Sequence, residues 1–446
     1  MTDSTVPTPP DTTDGRPAPA DTTDGRPGPV DGSDGRPGVA GLGGAYGRLW
    51  TAAVVSRLGD ALRTPALALL AASVTRDPRA IAAVVVAGQL PPLLFGLLGG
   101  VYADRWDRPR TMAGADTLRA ALVGGFALLV ATSEVHVGML AGCAFLLAAL
   151  GTLFDAAAFA VLPTLVPADR LAVANGRLQA GAATAGGLVG APLAGVLFAV
   201  GAALPFAVDA VTFAVAALLA LTLRPATGPI RPSRPVADPV RRRVAWRVAG
   251  DGLRWIWRDR TLRRITALAM VTNLATSGLI AVIVLYALEV LKVPATGYGL
   301  FMSAAVIGAL GGGLLAGRIG DRFGTLSGLR WVLLAETLAV ATLAVARHPV
   351  PGAVALAVFS AGTASWNALW SAYGQRNVPA EMLGRVGSAQ RTVSLLAAPV
   401  GAAGAGFLGA AAGLPSVLYA ATAVFALVTM TSWHSLRPRL GKGVNA

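Results

Sequence analysis

The sequence predicts an all-α membrane protein of twelve transmembrane helices, arranged as two pseudo-symmetric six-helix bundles. Three observations lead there. The 446 residues are 54% hydrophobic and only 13% charged, with a mean hydropathy of +0.62; a soluble chain carries about a quarter charged residues. The missing polar exterior implies a surface that faces hydrocarbon. Second, unbroken apolar runs near bilayer length recur between short polar gaps, whereas a transmembrane barrel would alternate in segments of about ten residues. Third, one charged loop occurs twice: Gly100-Val101-Tyr102-Ala103-Asp104-Arg105-Trp106-Asp107-Arg108-Pro109-Arg110, and later Gly317-Arg318-Ile319-Gly320-Asp321-Arg322-Phe323-Gly324.

Residues 1–46 stand apart. Asp11-Thr12-Thr13-Asp14-Gly15-Arg16-Pro17 recurs at Asp21–Pro27 and, altered, at Asp31–Pro37. A ten-residue repeat of Asp, Thr, Gly and Pro has nothing to bury, so a disordered cytoplasmic tail is expected. The basic start and early apolar core of a secretory signal are not seen there.

Six spans follow at 47–73, 80–102, 111–133, 136–160, 171–200 and 203–223, forming an N-terminal bundle over 47–223. A linker, 224–263, carries Pro225, Pro229, Pro232, Pro235, Pro239 and Arg241-Arg242-Arg243. Its later part, Val244 to Arg260, mixes Trp246, Trp255 and Trp257 with arginines, the pattern of a basic helix lying on a membrane surface. The second bundle, 264–436, holds spans at 264–290, 296–317, 326–346, 350–373, 384–411 and 414–434. Residues 437–446 form a short cytoplasmic tail.

Basic residues concentrate in alternate gaps: Arg105, Arg108 and Arg110; Arg170 with Arg177; the linker; Arg318, Arg322 and Arg330; Arg376 and Arg385; then Arg437, Arg439 and Lys442. Arg76 and Arg79 in the first gap are the exception. The positive-inside rule then places both termini and the linker in the cytoplasm and the protein in the cytoplasmic membrane. The same distribution argues against nucleic acid as the partner of the formal +14 charge, since the aromatic residues lie inside apolar runs and make no stacking platform.

The halves repeat each other. Asp104-Arg105 corresponds to Asp321-Arg322, 217 positions on; Val166-Pro167-Ala168-Asp169 matches Val378-Pro379-Ala380-Glu381; Pro192 pairs with Pro399. Duplication of a six-helix unit about an axis along the membrane normal is an architecture of secondary transporters.

Gly100-x-x-x-Asp104-Arg105-x-x-Arg108-x-Arg110 resembles the loop signature of the major facilitator superfamily, and Gly317–Gly324 stands where that family often repeats it. The resemblance covers about residues 47–436. Ser56-Arg57-Leu58-Gly59-Asp60, Val166-Pro167 followed by Ala174-Asn175-Gly176, and Asp209-Ala210-Val211-Thr212-Phe213 are similar to the drug-exporter branch that includes macrolide efflux and enterobactin exporter proteins. That resemblance implies proton-coupled export of a small, largely apolar molecule. Span five departs from the antiporter pattern: Gly187-x-x-x-Ala191-Pro192-x-x-Gly195-Val196 has Ala and Val where the family has glycine. Small residues still allow close helix approach there. Span four also lacks the arginine of better-studied drug–proton antiporters.

Ionisable side chains inside the apolar runs are the candidate chemistry, because hydrocarbon penalises charge. Arg57, Asp60 and Arg63 are spaced by three in span one, so Asp60 can reach an arginine in either direction. The triad is either a proton-coupling group or a permanently paired scaffold. Asp116 and Arg119 repeat the spacing and are expected to be a structural pair. Glu336 has no charged neighbour within a turn, so it is either neutral and hydrogen-bonded or paired across helices. Asp155, Asp209 and Glu289 are expected near helix ends, in capping or interfacial roles. Trp366, Asn367 and Trp370, with Asn273, Thr272 and Thr276, are candidates to line a substrate cavity, or else to cross-link helices.

Gly100, Asp104, Arg105, Arg108 and Arg110, with Asp321 and Arg322, are candidates for a conformational gate that closes on a helix end, a carboxylate or lipid phosphates, the alternative being a topology anchor. One cysteine, Cys143, and three histidines predict no intrachain disulfide and no metal site. No Walker sequence or nucleophile–base pair is present, so no cofactor, no catalytic residue and no enzyme activity are expected. The sequence points to a monomeric secondary transporter with a small-molecule substrate, protons and lipids as its partners. A siderophore or natural-product exporter, a nutrient symporter and a non-transporting receptor remain as rivals.

Overall fold

The computed structural model describes residues 43–103, 107–132, 134–167, 170–223 and 250–436. Most of the repetitive tail, Asp104 and Arg105, the proline-rich linker with Arg241–Arg243, and the last ten residues lie outside that set. Within it the secondary structure is helical, as hydrocarbon demands: a helix satisfies every backbone group within its own segment.

The first half contains α1 (Gly44–Val74), α2 (Pro78–Ala103), α3 (Arg108–Ala131), α4 (Val137–Leu165), α5 and α6 (Leu204–Leu221). Helix α5 starts as Leu171–Ala183, passes through a π-helical segment, Thr184–Gly190, and continues as Ala191–Val200. The π segment ends two residues before Pro192, which has no N–H to donate and whose ring displaces the carbonyl one turn back. The second half contains α7 (Arg260–Leu285, extended by a π turn, Tyr286–Val290), α8 (Tyr298–Phe323), α9 (Thr325–Val345), α10 (Pro349–Asn377), α11 (Ala380–Ala412) and α12 (Leu414–Ser435). Among the described residues eleven helices are long and apolar enough to cross a bilayer. Helix α1 is the exception despite its 31 residues, since Arg57, Asp60 and Arg63 interrupt its middle.

The caps explain several ends. Asp107 accepts from the Arg110 backbone N–H at 3.0 Å and Asp259 from those of Thr261 and Leu262, each at 2.8 Å, satisfying donors that a helix start leaves open. Helices α8 and α9 are joined through Gly324 alone, at φ 75°, a backbone region that glycine enters freely.

A short helix at residues 250–258 replaces part of the surface helix expected over Val244–Arg260. It does not simply lie on lipid. Ile256 is buried with Leu262, Val378, Val386 and Ala389, Asp251 is 3.6 Å from Arg385, and Trp257 stays exposed.

The two halves meet chiefly through α2 against α11 and α7, and through α5 against α8. Small residues make the approach possible. A Cβ on Gly195 would lie 2.8 Å from the Thr296 carbonyl oxygen, and one on Gly406 would lie 3.1 Å from that of Pro78. Arg76, one of the two arginines in the first gap, bonds Glu289 across the halves at 3.2 Å. At this end one apolar core runs through both halves, from Leu70, Ile81 and Phe206 to Leu291, Leu414 and Phe425. Toward the opposite end the core divides. Tyr46, Met112, Phe154 and Leu162 cluster within the first half, and Ile265, Leu329, Trp366 and Leu436 within the second. Among the described residues the bundle is therefore sealed at one end and parted at the other.

Candidate functional site

Charged residues of the first half converge between α1, α3, α4 and α6. Asp60 on α1 accepts from Arg63 Nη2 at 2.5 Å and from Arg119 Nη2, on α3, at 2.8 Å, with Arg57 Nη1 3.6 Å away. Arg119 also donates to Asp116 at 3.1 Å and to the Ser56 hydroxyl at 3.3 Å. Its guanidinium lies 4.1 Å from the centroid of the Phe213 ring on α6, a cation–π contact. Arg63 Nε approaches Asp209 Oδ2 to 3.1 Å, and Arg57 pairs with Asp155 of α4. Three guanidiniums thus face four carboxylates. Asp116 and Asp209 are fully buried and Arg119 is 3% exposed, while Arg57 and Asp155 open to solvent at the network's edge.

The span-one triad therefore belongs to a larger array. Asp116 and Arg119, expected as a separate pair, are part of it. Asp209 differs from the interfacial role expected of it: it sits six residues into α6, beside α1. Local spacing shows only partners on the same helix, so a cross-helix ion pair leaves no trace in periodicity. Glu289 lies near a helix end, in the π turn that closes α7, paired with the exposed Arg76.

The second half holds a cavity of about 740 Å³, lined among others by Asn273, Thr276, Glu336, Thr363, Trp366, Asn367, Trp370, Gln390 and Arg391. That volume is within the range of pockets for drug-sized ligands, roughly 300–1,000 Å³. All seven candidates from spans seven, nine and ten (Thr272, Asn273, Thr276, Glu336, Trp366, Asn367 and Trp370) come together here; Arg57, Asp60 and Arg63 do not. Asn273 donates to the Ser394 carbonyl oxygen at 3.0 Å, tying α7 to α11. Trp370 stacks with Tyr373, 6.4 Å between centroids.

Glu336, 4% exposed, projects from α9 toward α10 and accepts from the Thr363 hydroxyl at 2.9 Å. A Cβ at Gly362 would collide with its side chain, so this glycine forms the notch through which the carboxylate reaches the cavity. Of the two environments the sequence allows for Glu336, the structure shows the hydrogen-bonded one. Gln390, Arg391, Ser394 and Thr363 also line the cavity and were missed in the sequence; the available signal was a cluster of polar residues early in span eleven.

For the gate, Gly100 lies in α2 and Arg108 opens α3, while Asp104 and Arg105 are outside the described residues. Asp321 and Arg322 end α8; Arg322 lies over the Phe323 ring at 5.7 Å, and among the described residues Asp321 has no ion-pair partner. No group of three or more His, Cys, Asp or Glu suited to a metal ion occurs among the described residues.

The sequence pattern of the Major Facilitator Superfamily matches residues 49–402. An uncharacterized MFS-type transporter of Mycobacterium tuberculosis is 34% identical over 131 residues, 29% of this chain and 30% of that protein. Macrolide efflux protein A of Streptococcus pyogenes is 30% identical over 132 residues, 29% of this chain and 32% of that protein. The chain thus aligns with under a third of the length of these relatives. Among solved structures, the nucleoside transporter NupG superposes with a TM-score of 0.69 at 13% identity, covering 89% of this chain and 100% of that one. A bacterial homologue of the iron transporter ferroportin gives 0.66 at 16% identity, covering 88% and 99%. At such identities the likeness is one of fold.

Proposed function

The chain belongs to the Major Facilitator Superfamily, and from that premise we propose that it is a secondary active transporter exporting small amphipathic molecules by alternating access, driven by proton entry. The observation that carries this reading is the pairing of a buried, cross-helix charge network in one half with a drug-sized cavity in the other. With three guanidiniums against four carboxylates, the network holds one excess negative charge, which hydrocarbon disfavours unless a proton joins it. Among the described residues, Asp116 Oδ2 accepts no hydrogen bond and offers a place for that proton. Release and uptake on opposite sides would couple proton entry to the rocking of the halves.

The partial identity with macrolide efflux protein A supports export as the direction. Among the described residues, Arg108 and Arg110 at the start of α3 and Arg322 at the end of α8 lie toward the parted end, and the positive-inside rule supports reading that end as cytoplasmic, in the plasma membrane, with cytoplasmic termini. Asp104 and Arg105, with Arg108, Arg110, Asp321 and Arg322, act in this reading as the latch that shuts the parted end.

Flux in proteoliposomes with an imposed pH gradient tests the proposal. Asp60→Asn is expected to reduce gradient-driven export at least tenfold while leaving the melting temperature near that of the parent. Equal flux in the two proteins removes Asp60 from coupling; ligand binding without flux at any gradient would make the chain a receptor.

A further inference from the structure

The cavity of the second half has two charged side chains in its lining, Glu336 and Arg391, and burial makes them unequal. Arg391 is exposed, whereas Glu336 is 4% exposed. A buried carboxyl with no cation beside it carries a proton; a ligand cation can take that proton's place while the proton leaves to water, and the low dielectric around Glu336 strengthens the new pair. Among the described residues no arginine or lysine lies within 4.0 Å of it, and its hydrogen-bond donor is the neutral Thr363 hydroxyl. The network of the other half matches each guanidinium with a carboxylate. Among the described residues Glu336 faces its cavity with no such partner within 4.0 Å.

The surroundings suit one kind of partner. Trp366, Trp370 and Phe425 line the same cavity, and indole faces attract cations. Asn367, Thr276 and Gln390 add neutral polar groups, which orient a ligand without opposing its charge. The Gly362 notch is specific to this carboxylate, since any side chain there would push Glu336 away. We propose that the cavity selects amphipathic monocations, protonated amines or onium ions on an aromatic or apolar body, with the cationic centre held by Glu336 and the body against Trp366 and Trp370. This rests on the exporter reading and names its substrate class.

The test uses three probes of similar body and different charge: tetraphenylphosphonium, triphenylphosphine oxide and tetraphenylborate. Binding is measured on the full chain in nanodiscs, with empty nanodiscs subtracted. The parent protein is expected to bind the phosphonium at least tenfold tighter than the oxide, and the borate weakest. Glu336→Gln should abolish the preference and leave oxide affinity within twofold, while Glu336→Asp should retain part of it. No preference in the parent overturns the proposal, and so does an equal loss of all three probes in a Glu336→Gln protein that melts normally. If Glu336→Gln does not fold, the parent's ratio and the Glu336→Asp ratio decide.

Flux of the same probes in proteoliposomes separates this idea from the broader one. Transport of oxide or borate without cation preference sinks the substrate class and keeps the exporter. Cation-selective binding with no flux of any probe sinks the exporter and keeps the site chemistry.

Discussion

Arg119 on α3 and Glu336 on α9 are 217 positions apart, the same offset that relates Asp104-Arg105 to Asp321-Arg322. Each reaches past a glycine of the next helix, Gly151 on α4 and Gly362 on α10. The duplicated framework thus delivers a long polar side chain through the same kind of notch in both halves. In the first half that chain is a guanidinium met by Asp60 and Asp116. In the second it is a carboxylate met by Thr363 and open to a cavity. One scaffold position closes a charge network in the first half and leaves a carboxyl facing a cavity in the second. The difference teaches that repeated helices specify where a group is placed, and the neighbours decide whether it is spent on structure or offered to a ligand.

The sharpest way to break this comparison is to remove both groups. Arg119→Ala leaves Asp60 and Asp116 with one partner fewer in a buried setting and should destabilise the protein by about 3–5 kcal/mol. Glu336→Ala removes a carboxyl that no cation balances and should lose only about 1 kcal/mol, the worth of one hydrogen bond. Equilibrium unfolding in mixed micelles reads both; equal losses would erase the distinction between the halves.

Next in size is the seam between them. Gly195→Leu places a side chain against the Thr296 carbonyl oxygen and should force α5 from α8, shifting the population severalfold toward opening of the sealed end. Spin-label distances between α5 and α8 would lengthen; an unchanged distribution would mean that the glycine contact does not hold the halves together. The smallest effect belongs to Thr363→Val, which deletes the donor to Glu336. It should cost at most about 1 kcal/mol in unfolding while loosening the carboxylate, visible as weaker discrimination among charged probes. Stability loss as large as that of Arg119→Ala would show Glu336 to be a structural residue after all.

Much of this organisation was legible in the sequence. Apolar runs placed the helices because lipid leaves no other backbone solution, and the spacing of Arg57, Asp60 and Arg63 exposed the first charged cluster. Asn273, Trp366, Asn367 and Trp370 stood out as polar or aromatic islands in apolar runs. What stayed hidden is tertiary. Asp209 lies 146 positions from Arg63 in the chain, and only the packing of α6 on α1 joins them. Gly362 was one small residue among many in span ten, and nothing local marks it as the opening for a side chain on another helix. The proline bend of span five was visible, but its form as a π segment depends on how the backbone accommodates Pro192.

The undivided apolar core at the sealed end has a thermal consequence. Prying that end apart would hydrate buried hydrocarbon, a change with a positive heat capacity whose free-energy penalty shrinks on cooling. The balance between the two arrangements should then follow a curved rather than straight van't Hoff plot, with the form opened at the sealed end gaining ground in the cold. A transporter assembled this way would carry a built-in thermometer in the seam between its halves.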